Sequence, residues 1–230
     1  MTNKDSITDI FFDLDHTLWD FEVNSYHTFV SILTPYSFPF SAETFKEAYT
    51  PINHAFWKLY RENMISTQEL RLVRLQKTFE AIGHPQTTAV LQALSDAYIN
   101  QLSTHTHLFE GTLELLDYLQ PNYRLHIITN GFDVVQQKKM SNSGISDYFS
   151  VVLTAESAGV KKPHQDIFIK ALSMAGVNAE NALMIGDSYE ADIAGALELG
   201  MQAIHFNSHQ EAKHSSCVMV ESLAEIKQYL

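Results

Sequence analysis

Apolar and polar positions follow two rhythms along this chain. Thr8-Asp9-Ile10-Phe11-Phe12 is a short apolar run opening onto Asp13-Leu14-Asp15, the pattern of a buried parallel strand and its C-terminal loop. From about Phe21 to His107 the spacing turns helical, as in Phe56, Leu59, Tyr60 and Leu70, Val73, Leu75, and predicts a mainly helical block of about four helices. Strands and helices then alternate. Helices are predicted at Gly111 to Leu119, Phe132 to Ser141, Asp166 to Ala175, Asp192 to Leu199 and Ser222 to Leu230. Between them, strands are predicted at Arg124 to Thr129, Ser150 to Leu153, Ala182 to Ile185, Gln202 to His205 and Val218 to Val220. Pro163 suits the first turn of the Asp166 helix, and Gly144, Gly176 and Gly200 suit helix ends.

Such alternation predicts βαβ units and a doubly wound, Rossmann-like parallel sheet in an α/β protein. The core is expected from residues 1–18 and 108–230, with residues 19–107 as a helical insertion. Right-handed crossovers put every strand C-terminus on one edge, where ligands of open α/β sheets bind. Asp13, Asp15, Thr129, Asn130, Lys162, Asp187 and Asp192 are all expected at that edge.

Composition narrows the partners. The chain of 230 residues, 45% of them hydrophobic, suits one large domain, or a domain with a modest insertion. No apolar run approaches the roughly 20 residues that cross a bilayer. The start, MTNKDSITDIFFDLD, meets acids too soon for a signal peptide. A single cysteine, Cys217, allows no internal disulfide; together these features point to the cytoplasm. The net charge of −12 carries no basic run longer than Lys138-Lys139 or Lys161-Lys162, which argues against nucleic acid and anionic membranes as partners. Small phosphates remain open to an acidic protein that places cations at its site.

The chemistry-bearing residues fall in four short strings. In Asp13-Leu14-Asp15-His16-Thr17-Leu18, two carboxylates two residues apart can face one cavity, one to attack phosphorus and the other to move a proton. The plain alternative is a loop whose acids cap the next helix. Thr129-Asn130-Gly131 offers a hydroxyl, an amide and a flexible backbone for phosphate oxygens, or is an ordinary Asn-Gly turn. A lysine before Pro163 can neutralise a transferring phosphoryl group; spacing alone does not choose between Lys161 and Lys162. In Gly186-Asp187-Ser188-Tyr189-Glu190-Ala191-Asp192, Asp187 can complete an oxygen site with the first loop, while Asp192 can equally be a capping acid. His105 and His107 lack zinc spacing, and Cys217 has no evident partner base.

In this order the four strings, DLDHTL, TNG, KP and GDSYEAD, resemble the motifs of haloacid dehalogenase superfamily phosphatases over nearly the whole chain. The resemblance implies Asp13 as nucleophile, Asp15 as general acid/base, and Lys162 bridging nucleophile and phosphate. It implies phosphate binding by Thr129, Asn130 and Gly131. Magnesium would be held by Asp13, the Asp15 carbonyl and Asp187, with Asp192 supporting the metal waters or the lysine. It also implies that residues 19–107 form a cap that excludes water and reads the leaving group. The second aspartate, Asp15, separates the chain from the dehalogenase branch. His16 stands where glycine is common in the motif.

Phe132 after TNG, the segment from Asn53 to Phe56-Trp57, and the overall length resemble the YjjG-type branch of pyrimidine 5′-nucleotidases. That implies a small phosphorylated substrate, a nucleoside monophosphate such as UMP, dUMP or dTMP, with Phe56, Trp57 and Tyr60 as candidates to stack on the base. The alternatives are a phosphatase of sugar phosphates or other small phosphomonoesters, with the same catalytic set, and a non-catalytic phosphate-binding module.

Overall fold

Strand β1 (Asp9–Phe12) is buried along its whole length, as Ile10-Phe11-Phe12 without polar alternation requires when both faces of a parallel sheet are covered. In the computed structural model, which describes residues 4–230, the chain leaves β1 through the Asp13 loop. It then forms helices α1 (Phe21–Leu33), α2 (Ala42–Arg61), α3 (Thr67–Ala81) and α4 (Thr88–Gln101). The alternating part follows as α5 (Thr112–Leu119), β2 (Arg124–Thr129), α6 (Asp133–Asn142), β3 (Phe149–Thr154), α7 (Ala155–Ala158) and α8 (Gln165–Ala175). It ends with β4 (Ala182–Gly186), a π-helical turn (Tyr189–Ile193) running into α9 (Ala194–Glu198), β5 (Gln202–Phe206) and β6 (Val218–Val220).

The six strands form one parallel sheet in the order β3-β2-β1-β4-β5-β6, a doubly wound α/β architecture. The winding runs outward from β1 through β2 to β3, then returns to the other side of β1 for β4, so the strand order reverses beside β1. Register keeps the central ends level: Phe12 lies opposite both Ile127 and Ile185. The loops after β1, β2 and β4 therefore leave from one line. Because side chains alternate across a strand, Phe11, Ile128, Leu153 and Met184 share one face, where Ile167 and Phe168 of α8 and Ala196 of α9 cover them.

The chain divides into two compact units, one taking in the chain up to Phe21 with Thr106–Leu230, the other Glu22–His105. The second unit is helical, and its helices start where polar caps satisfy free N–H groups. Ser41 and Thr87 accept from the third residue of their helices, and Ser66 with Glu69 forms a reciprocal capping box. Its core is aromatic: Phe29 lies 4.8 Å from Phe45, 4.6 Å from Tyr49 and 4.9 Å from Tyr98, ring centre to ring centre. Arg74 is buried here; it donates to Asn53 Oδ1 at 2.7 Å and lies over the rings of Tyr49 and Tyr98. Asn53 thus serves the interior of the helical unit.

Several helix boundaries differ from the sequence pattern. Pro163 lies ahead of the α8 cap residue His164 and not in the first turn. The helix expected from Asp192 begins at Tyr189, because the Ser188 side chain caps the wide turn by accepting from Ala191 N. The C-terminal helix is a short 3-10 segment (Leu223–Gln228). The single-turn α7 was not expected: with four residues it has no periodicity to read, and is held by a reciprocal Thr154–Ser157 cap.

At the opposite end of the sheet, Asp9 is fully buried and gathers Thr8, Arg124 and His126. His126 Nε2 lies 2.8 Å from Asp9 Oδ1 and its ring stacks on Phe11. Burial lowers the His126 pKa below its ordinary 6.5, against the opposing pull of Asp9. A depressed histidine pKa means the unfolded chain binds the proton more readily. This contribution is therefore complete above the ordinary value and is lost as pH falls below it. The unfolding free energy from urea titrations is expected to fall as pH drops below about 7, by up to ~1.4 kcal/mol per pH unit from this group. His126→Gln is expected to flatten that slope; an unchanged acid limb in the variant would assign the effect elsewhere.

Candidate active site

The loop after β1 begins at Asp13, whose backbone N–H bonds to the Ile185 carbonyl of β4. It then turns sharply: His16 takes a left-handed conformation at φ 65°, its N–H bonds to the Trp19 carbonyl, and Leu18 and Trp19 both donate to the Leu14 carbonyl. A non-glycine residue in that region stores on the order of 1 kcal/mol of strain or more. This is the physical sense of the glycine usual at the position. The ring of His16 is held between Phe21 and His209, at 4.9 and 4.5 Å.

Lys162 is the ammonium shared by Asp13 and Asp192. It is 1% exposed, and its Nζ lies 2.5 Å from Asp13 Oδ1, 2.7 Å from Asp192 Oδ1 and 2.6 Å from the Ile128 carbonyl. The choice that spacing left open between Lys161 and Lys162 is decided geometrically for this contact. Asn130 fixes the lysine from behind: its amide donates to the Lys162 carbonyl at 3.0 Å and accepts from the Lys162 N–H at 2.8 Å. The side chain of Asn130 is therefore engaged with the lysine backbone. Asp192 also accepts from Ser188 N–H through Oδ2 and lies against Gly186, where a Cβ would overlap its carboxylate.

Asp13, Asp187 and Asp192 are buried, each offering a carboxylate oxygen within 4.8 Å of the others. Burial pushes the Asp13 pKa well above its ordinary value; Lys162 pulls it down, and Asp192 and Asp187 add to the rise. Asp187 is raised in the same way, by burial first, with His209 opposing. For Lys162, burial works against the ammonium, but Asp13 and Asp192 outweigh it and raise the pKa. Three buried carboxylates against one ammonium leave an excess of negative charge. An arrangement of oxygen ligands with unbalanced charge is the chemistry of a hard divalent cation such as magnesium.

Asp15 is held on both oxygens by α6. Lys139 Nζ lies 2.5 Å from Oδ1, and Gln136 Nε2 donates to Oδ2 at 2.9 Å. The same Gln136 amide donates to Thr129 Oγ1 at 2.8 Å, which also accepts from Gly131 N–H at 3.1 Å. With both acceptor positions filled, the Thr129 hydroxyl proton is left to donate. Gly131 is needed for this packing, since a Cβ there would overlap the Gln136 side chain.

Around Asp187, Thr17 donates to Oδ1 at 3.2 Å and His209 Nε2 lies 3.1 Å from Oδ2. The fully buried His205 donates from Nε2 to the Asp187 carbonyl at 2.7 Å. None of Thr17, Gln136, Lys139, His205 and His209 was singled out from sequence as a site residue. Gln136 and Lys139 did leave a signal: they share a buried helix face with Val135 and Met140, where apolar residues are the rule. The helical unit holds the remaining candidate. Trp57 is half-buried and meets Tyr60 edge-on at 5.6 Å, whereas Tyr60 is buried and paired with Thr67, so its ring belongs to the interior.

The chain is similar to known proteins over most of its length. The haloacid dehalogenase-like hydrolase family model matches residues 10–206. Pyrimidine 5′-nucleotidase YjjG of Escherichia coli (strain K12) is 32% identical over 225 residues, 96% of either chain. Pyrimidine 5′-nucleotidase PynA of Streptococcus pneumoniae (strain ATCC BAA-255 / R6) is 32% identical over 208 residues, 90% of this chain and 86% of PynA. Among solved structures, the HAD-hydrolase YfnB from Bacillus subtilis, bound to magnesium, shares the fold with a TM-score of 0.87 at 24% identity, over 96% of this chain and 97% of that one. Among the described residues no helix is long and apolar enough to cross a membrane. The resemblance read from the four motifs extends through the sheet that carries them, and the chain belongs to the haloacid dehalogenase-like hydrolases.

Proposed function

We propose that the protein is a magnesium-dependent pyrimidine 5′-nucleotidase working through an aspartyl-phosphate on Asp13. The observation that carries the chemistry is the buried Asp13–Lys162–Asp192 array beside Asp187. The substrate class rests on two relatives of that activity at 32% identity over most of the chain.

In this reading the Asp13 carboxylate attacks phosphorus as the ester P–O bond breaks, and Asp15 gives its proton to the leaving nucleoside oxygen. Water then attacks the phosphorus of the acyl phosphate, Asp15 takes its proton, the P–O bond to Asp13 breaks, and inorganic phosphate is released. Lys162 offsets repulsion between the Asp13 carboxylate and the phosphate dianion. Thr129 donates its hydroxyl proton to a phosphate oxygen, with the Asn130-Gly131 backbone beside it. Asp13, Asp187 and the Asp15 carbonyl would hold magnesium, with Asp192 supporting them; its chemistry would be to neutralise developing charge on phosphate. The half-buried Trp57 of the helical unit is proposed to stack on the base, and the chain to work in the cytoplasm on a free nucleoside monophosphate.

A panel of UMP, dUMP, dTMP, AMP, GMP and hexose phosphates, run with magnesium and with excess chelator, tests this. Pyrimidine nucleotides are expected to lead, with no turnover in chelator. Stacking worth about 1–3 kcal/mol corresponds to roughly 5- to 150-fold in kcat/KM, and Trp57→Ala is expected to erode that margin while sparing a small phosphate ester. A tenfold preference for hexose phosphates would replace the nucleotidase with a sugar-phosphate phosphatase, and full activity in chelator would remove the metal.

A further inference from the structure

We infer that Lys139 and Gln136, on one face of α6, are positioning residues that fix the Asp15 carboxylate in the orientation from which it serves the leaving group. This inference rests on the acid/base role proposed for Asp15. A carboxylate has two oxygens and a rotatable side chain, and proton transfer needs one oxygen aimed at the reacting atom. Here each oxygen has its own donor: the Lys139 ammonium at 2.5 Å from Oδ1 and the Gln136 amide at 2.9 Å from Oδ2.

The two donors are themselves locked. Lys139 is 2% exposed and its ammonium stands 4.2 Å from the centre of the Trp19 ring, whose indole N–H donates to Ser143 Oγ at 3.2 Å. Trp19 also follows Asp15 in the same tight loop, so α6 grips the loop at both Asp15 and Trp19. Gln136 is fully buried and its single amide nitrogen spans Asp15 and Thr129. The phosphate-loop hydroxyl and the proton carrier therefore share one donor. Burying a lysine against a partly exposed acid has a desolvation cost that a surface pair avoids. A geometric task at Asp15 gives that cost a function.

The test uses the leaving group. A nucleoside alkoxide needs a proton to depart, whereas p-nitrophenolate does not, and kcat/KM reports the steps up to release of the leaving group. Lys139→Met is expected to lower kcat/KM on a nucleoside monophosphate by about 10²-fold while changing kcat/KM on p-nitrophenyl phosphate only a few-fold. The kcat on both should fall, because hydrolysis of the phospho-enzyme also uses Asp15. Lys139→Arg should restore most of the loss, and Gln136→Leu, which removes a contact without removing a charge, should show the same split at smaller size. Melting curves identify a variant that fails to fold, in which case the Gln136 and arginine variants decide. Equal kcat/KM losses on both esters in folded variants, or no loss on either, would overturn the inference. Asp15→Asn is run alongside. If it shows no leaving-group split, the acid/base reading itself fails; if it shows the split and the α6 variants do not, the positioning role alone fails.

Discussion

Asp13→Asn is expected to stop turnover, by roughly 10⁴-fold or more, while leaving the metal-free protein at least as stable as the parent. The loss follows from chemistry: a neutral amide is no nucleophile toward phosphorus, and no acyl phosphate forms. The stability follows from the electrostatics of the site. Burial and the carboxylates of Asp192 and Asp187 raise the Asp13 pKa well above its ordinary 3.8, outweighing Lys162. A carboxyl raised in this way is held less readily as its anion in the folded state, so its cost to folding grows as pH rises from the ordinary value toward the folded one. Asparagine removes that cost and keeps an oxygen able to accept from Lys162. Phosphate release and thermal melts in chelator measure the two halves. Near-normal turnover would end the nucleophile assignment, and a melting point several degrees lower would mean that the Asp13–Lys162 pair is a net stabiliser.

Lys162→Met has the opposite signature, with activity and stability falling together. The substitution leaves Asp13, Asp187 and Asp192 buried without their ammonium and frees the Ile128 carbonyl from its donor. Breaking a buried ion pair by removing one partner costs about 3–5 kcal/mol, and loss of a charge-neutralising donor at a phosphoryl group costs roughly 10²–10³-fold in kcat. Magnesium should recover part of the stability but little of the activity, because it would balance the acids without replacing the Nζ contact to Asp13. Lys161→Ala, one residue away, is expected to stay within a few-fold of the parent. If Lys161→Ala were the more damaging substitution, the role would move to that residue.

Three of the strands, β1, β2 and β4, were legible in sequence because a buried run ends abruptly in chemistry: Phe12 into Asp13, Ile128 into Thr129-Asn130, Ile185 into Gly186-Asp187. Such runs, short and without polar alternation, suit a parallel sheet buried on both faces. The order of strands was not legible, since a crossover to the left or right of β1 has the same local pattern. At the site, Asp13, Lys162, Asp187 and Asp192 lie together, as their places at the strand ends led one to expect. What sequence could not convey was how side chains divide their bonds. Asn130 reads as a phosphate donor, and nothing in the sequence shows that its amide also braces the Lys162 backbone. Lys139 reads as half of a charged pair of lysines, until the helix turns it inward and leaves its neighbour Lys138 outside. Tyr60 could stack on a base or belong to the core by its spacing alone, and its burial places it in the core. Each of these depends on rotamer and packing partner, which a periodicity does not encode.

The strand order carries a consequence for how competence arises. Asp13 and Lys162 touch across 149 residues of chain, and Thr17 and Asp187 across 170. Between Thr17 and Asp187 lie three parallel crossovers, the first of which carries the helical unit, and their ordering entropy must be met before the distant contacts form. No short segment of the chain brings Asp13, Lys162 and Asp187 together, so this cluster has no local precursor during folding. A nascent chain becomes able to act on phosphate esters only after β4 has docked beside β1. Until then the carboxylates that meet around Lys162 remain separate and solvated.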